Sequence, residues 1–141
     1  MSYWKLFYHV VWGTKQRLPT IGEQRAAILT EMIPGIAREE GALVHATGTM
    51  PDHVHVAVSI PPRVAIAHVV MRIKGSTSHL FNHDAEAETW HGWQAEYGVV
   101  SLSEKALPQV VEYVRNQPQR HAGNELYAGL EQMEALYPHN T

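Results

Sequence analysis

Residues 50–60, MPDHVHVAVSI, alternate so strictly that they dictate how the chain around them must be layered. In an extended strand successive side chains point to opposite faces. Val54, Val56, Val58 and Ile60 therefore share one face, and His53, His55, Ala57 and Ser59 share the other. The valine face demands a core. The histidine face sets two imidazoles beside small residues and needs a cover of its own.

The chain has 141 residues and is 45% apolar, which suits one compact domain able to close its own core. It has no cysteine, so disulfides and thiolate zinc sites are excluded. No apolar run approaches the roughly 20 residues of a membrane span, and the N-terminal MSYWKLFYHVVW lacks the layout of a signal peptide. A cytoplasmic location is the expectation. The formal charge of −3 argues against a broad surface that coats nucleic acid, though not against a local basic site. The ten histidines are neutral in that count and can serve as metal ligands or proton carriers.

YWKLFYHVVW (3–12) is aromatic and β-branched on both alternating faces and reads as a central strand buried on two sides. Residues 23–40 read as a helix with Ile28, Met32 and Ile36 on its apolar face, ending at Gly41, with Pro34-Gly35 expected to kink or shorten it. ALVHATGTM (42–50) is a second strand, joined to the histidine strand through a Pro51-Asp52 hairpin turn. Residues 64–83 carry a mainly apolar helical stripe at 66, 69, 70, 73, 77, 80 and 81, with Thr77 its one polar member. Arg72, Gly75, Ser78 and His79 lie opposite that stripe, with Lys74 at its edge. A final strand, Tyr97 to Leu102, leads into a helix running to about Gln117, with Pro108 in its first turn or kinking it. Residues 124–137 allow one more amphipathic helix through Leu126, Leu130 and Met133. The order β-α-β-β-α-β, then α, is an α+β, ferredoxin-like split βαβ layout with an antiparallel sheet and an added C-terminal helix. The expected organisation is one domain over 1–141, with its core in 1–103 and the last helix and tail in 104–141.

Two crossover helices cover one face of such a sheet, so the helix at 104–117 is the candidate lid for the histidines. Leu107, Val110, Val111 and Val114 form its buried stripe, and Tyr113 and Gln117 lie four residues apart along the border. Two neutral imidazoles and the Gln117 amide oxygen make an N,N,O half-shell suited to a divalent metal with open positions. Such a metal would polarise a phosphodiester and stabilise the leaving oxygen, while Tyr113 could attack phosphorus and retain the product as a phosphotyrosine.

At these residues the chain resembles a known family. MPDHVHV resembles the His-hydrophobic-His motif of HUH nucleases. VVEYVRNQPQRH resembles the tyrosine helix of single-tyrosine HUH transposases of bacterial insertion sequences and their REP-associated relatives. YHVVWGTKQRLP, RIKGSTSHLF and WQAEYGVVSLS extend the likeness over nearly the whole chain. The resemblance implies that His53, His55 and Gln117 bind Mg²⁺ or Mn²⁺ and that Tyr113 is the nucleophile. It implies cleavage and rejoining of single-stranded DNA at hairpin-bearing element ends through a 5′-phosphotyrosine, by a homodimer in which the tyrosine helix of one subunit can serve the other.

Lys15, Arg17, Arg72, Lys74, Arg115 and Arg120 are candidate phosphate contacts. Trp4, Trp12, Trp90 and Trp93 could stack on unpaired bases, although their strand favours core packing for Trp4 and Trp12. Tyr97, in EYGV, is the competing tyrosine, but a strand start favours packing. His9 and His121 are read as structural or DNA-contacting. The alternatives are a non-catalytic or host-adopted nucleic-acid-binding module, which binds without forming a covalent product, and an HUH replication initiator or relaxase with the same chemistry. A single candidate tyrosine and the small size favour the transposase.

Overall fold

The structure, a computed structural model, describes residues 3–116. Gln117, Arg120, His121 and the helix expected at 124–137 lie outside the described residues. The elements run β1 (Phe7–Gly13), α1 (Glu23–Glu39), β2 (Leu43–Met50), β3 (His53–Ser59), α2 (Ile66–Phe81), β4 (Gly98–Leu102) and α3 (Leu107–Arg115), with short 3-10 turns at Lys15–Arg17 and Ala87–Thr89. The four strands form one antiparallel sheet in the order β2-β3-β1-β4. This is the expected α+β architecture.

The alternation in β3 sorts the molecule into two unequal halves. Val54, Val56, Val58 and Ile60 join Val10 and Trp12 of β1 under α1 and α2 in the main core. Val11, Ala46 and Ala57 on the opposite face meet Val110, Tyr113 and Val114 of α3 in a smaller cluster. Burying a large aliphatic side chain contributes about 1.5–3 kcal/mol, so among the described residues the larger share of apolar stabilisation lies under α1 and α2.

Local chemistry explains the element ends. α1 stops in a Schellman arrangement: Gly41 adopts φ +87°, its N–H donates to the Arg38 carbonyl, and the Ala42 N–H donates to the Ala37 carbonyl. Pro34 does not shorten α1. Leu29 before it and Ile36 and Ala37 after it are buried on the sheet, and that packing carries the helix through the missing N–H. The buried stripe is also rotated from the expected one, to Leu29, Ile33, Ile36 and Ala37, with Ile28 and Met32 at its flanks.

The rotation leaves room for Arg25, a buried cation not foreseen. Its guanidinium donates to both Asp84 carboxylate oxygens, the Thr20 and Glu86 carbonyls and the Thr89 hydroxyl. It also lies 5.4 Å from the ring centre of Phe81 and 5.5 Å from that of Trp90. Arg25→Ala is expected to cost about 3–5 kcal/mol, because it strips the partners from a buried network. Arg25→Lys should not restore stability, since an ammonium cannot reproduce the planar fork. Chemical denaturation checks both. Arg25 also holds the Asp84 carboxyl below the usual carboxylate range. The stabilisation from that pair is therefore complete above the ordinary carboxylate pKa and is lost as pH falls through the lower folded value.

Several aromatic and apolar placements differ from expectation. Trp12 is fully buried, but Trp4 precedes β1 and is 39% exposed. Trp90 is a core residue against Phe81, and Trp93 packs edge-on against Trp12, which makes Trp90 unfit as a base-stacking platform. Leu80 faces outward, and β4 begins at Gly98, after Tyr97. Among the described residues no helix is long and apolar enough to cross a membrane.

Candidate active site

Register builds the site. In the β1–β3 pair Val11 lies opposite His55 and Gly13 opposite His53, while in the β2–β3 pair Gly48 lies opposite His55. A bulge between Val44 and Ala46 turns His45 onto the same face, where it shares a 2.7 Å hydrogen bond with Ser59. His9, His45, His53 and His55 thus line one face. Burial holds the His45 imidazole below its ordinary pKa.

Each residue of the expected pair has a partner at Nδ1. His53 Nδ1 donates to Asp52 Oδ1 at 2.6 Å, and Asp52 in turn accepts from Arg17 Nε at 3.0 Å. His55 Nδ1 lies 3.0 Å from His9 Nε2. The rings of His53 and His55 are 4.9 Å apart at 63°. A histidine that donates Nδ1–H to a carboxylate, as His53 does, presents Nε2 as the lone-pair nitrogen, the usual arrangement at metal centres. The donor set therefore fits a divalent metal held by His53 and His55. Among the described residues no group of three or more His, Cys, Asp and Glu makes a closed cation site, so a metal here would need further donors.

α3 covers this face, as the lid argument requires. Val110, Tyr113 and Val114 are buried, with Pro108 in the first turn. Tyr113 is not on the border of the stripe but at its centre, 2% exposed, its ring edge-on to His55 at 5.9 Å and to His9 at 6.2 Å. Gly48 makes the close seating possible, because a β-carbon there would overlap the Val114 carbonyl. In this chain the tyrosine helix lies on its own sheet.

The candidate cations are differently placed. Lys15 is exposed, in the turn beside Asp52 and His53. Arg17 pairs with Asp52, and Arg72 pairs with Glu39 and Glu40. Arg115, exposed at the end of α3, reaches the His45 carbonyl. Lys74 Nζ donates to the Gln94 and Glu96 carbonyls, and burial pushes its amine down to about 8. As pH rises through that value, Lys74 loses its attraction for phosphate. The turn carrying Lys15 is itself unusual: Gln16 and Arg17 both adopt φ 58°. Left-handed backbone at two successive non-glycine residues costs energy and is retained where position matters.

Residues 2–117 match the family model described as Transposase IS200 like. The chain belongs to the IS200-like transposase family. This IS200-like transposase is 29% identical over 119 residues, 81% of its own length and 85% of the relative's, to the ISDra2 transposase TnpA of Deinococcus radiodurans. A crystal structure of a Deinococcus radiodurans R1 protein assigned as a transposase superposes with a TM-score of 0.65 at 26% identity, covering 86% of this chain and 97% of that one. A REP-associated tyrosine transposase bound to a REP hairpin shares the fold, with a TM-score of 0.62 at 16% identity over 100% of this chain and 91% of that one.

The sequence puts the histidine pair and Tyr113 on facing elements, whereas Asp52 as the partner of His53 and His9 at the site emerge from the structure. Asp52 was legible from adjacency alone. His9 required the β1–β3 register.

Proposed function

We propose that this family member is a metal-dependent single-stranded DNA transposase that cuts and rejoins strands at hairpin-bearing ends through a 5′-phosphotyrosine. The observation that carries the reading is the seating of Tyr113 edge-on to His55, on the face that also presents His53. In this reading the Tyr113 oxygen attacks the scissile phosphorus, the bond to the 3′ oxygen breaks, and the 5′ phosphate stays on the tyrosine while a 3′ hydroxyl is released. Mg²⁺ or Mn²⁺ held by His53, His55 and Gln117 would supply Lewis-acid stabilisation of charge on the phosphate and the leaving oxygen. The residues themselves set the geometry: Asp52 fixes the His53 ring, and the buried contacts of α3 aim Tyr113.

Joining two ends takes two tyrosines, so the working unit in this reading is a homodimer. DNA enters along the exposed cations that flank the histidine face, Lys15 at one side and Arg115 at the other, with Arg17 and Arg120 as further candidates, whereas Arg72 and Lys74 belong to α2, across the sheet from the histidines. Lys15→Ala is then expected to lower the slope of log affinity against log salt by about 1, equally for all sequences. Fluorescence anisotropy over a salt series reads this directly.

The test of the function is incubation with a pool of hairpin-bearing single strands, labelled at either end, with Mn²⁺ or with chelator. A 3′-label that migrates with the protein on a denaturing gel, only when metal is present, is the expected result. Binding without an adduct on any strand would replace this reading with the non-catalytic module.

A further inference from the structure

His9 is fully buried in β1, outside the His53–His55 motif, and directly opposite Ala57. Because Val11 is opposite His55, His9 lies one diagonal step from His55 on the same face. The two rings meet edge to edge, their centres 5.2 Å apart and their planes inclined by 27°, and His9 Nε2 meets His55 Nδ1 at 3.0 Å.

One proton occupies that contact, and its owner decides what His55 can do. If His55 carries it, Nδ1–H donates to His9 Nε2, and His55 Nε2 bears the lone pair. If His9 carries it, a neutral His55 must bear its proton on Nε2, where it blocks a ligand. His53 faces no such choice, because its partner Asp52 as a carboxylate only accepts.

We propose that His9 is a positioning residue: as the Nδ1–H tautomer it accepts the His55 Nδ1 proton, thereby orienting the ring and reserving Nε2 for the metal. The two ligands are thus held by unlike partners, one by a carboxylate and the other by an imidazole buried with it. This inference rests on the metal reading above.

The test begins with metal-free protein. Long-range ¹H–¹⁵N correlation spectra, recorded at about pH 8 so that ordinary imidazoles are neutral, report which nitrogen of each histidine is protonated. Protons on Nδ1 of both His9 and His55 are expected, and a proton on Nε2 of His55 overturns the proposal. His9→Phe keeps a buried ring but removes the acceptor, and it should release the His55 tautomer and weaken Mn²⁺ binding about 10- to 100-fold. His9→Gln restores an acceptor near the Nε2 position and should recover most of that affinity. Unchanged His55 spectra and unchanged Mn²⁺ affinity in His9→Phe, with melting confirming the fold, would overturn it as well. If the wild-type chain takes up no Mn²⁺, the metal reading falls, while the metal-free spectra still decide the role of His9.

Discussion

Tyr113→Phe is expected to reduce formation of the covalent DNA adduct at least about a thousandfold while leaving the fold in place. The ring is what packs: it stands edge-on to His9 and His55 and is 2% exposed, and phenylalanine preserves those contacts. Only the hydroxyl is lost, and with it the atom that would bond to phosphorus. Denaturing gels of labelled hairpin DNA measure the adduct, and a melting curve close to wild type shows that the loss is chemical. A persistent adduct would mean another nucleophile. Tyr97 is a poor substitute, since it packs against the core of the valine face, on the other side of the sheet from the histidines.

The second large effect is expected from Gly48→Ala. In a strand interior, alanine normally gains about 0.4–1 kcal/mol over glycine by restricting the unfolded chain. Here the added methyl would overlap the Val114 backbone, and overpacking of this kind costs about 1–3 kcal/mol. The clash wins, and because the sheet cannot yield, α3 must lift. Adduct formation should fall with it, while His53 and His55 keep their places in β3. Hydrogen exchange of α3 amides and the adduct assay together decide the matter. A variant as protected and as active as wild type would show that α3 does not depend on the close approach to Gly48.

Much of this architecture was legible because β3 declares its own sidedness. Once Val54, Val56 and Val58 require one cover and the histidines another, two crossover helices and one added helix follow, and the Pro51-Asp52 turn pins β2 beside β3. What escaped is what depends on register between distant elements. His9 looks like any residue of a strand apolar on both sides until pairing sets it diagonal to His55. Arg25 sits in an ordinary helical stretch and is buried only because Asp84, Glu86 and Thr89 arrive from far along the chain. Counting turns puts Tyr113 at a border, but the helix rolls to set it at the centre.

The inequality of the two faces bears on how the molecule comes apart. α3 is nine residues long, shorter than the roughly 12–15 that a helix needs to persist alone in water, so it holds its shape only while docked. Among the described residues it rests on the smaller cluster, whereas the strands that carry His53 and His55 are anchored by the main core. Such an element opens at lower free energy than the whole domain. With rising urea the amides of α3 should therefore lose their hydrogen-exchange protection, and the chain its competence to form the adduct, at a lower denaturant concentration than the amides of β1 and β3 lose theirs.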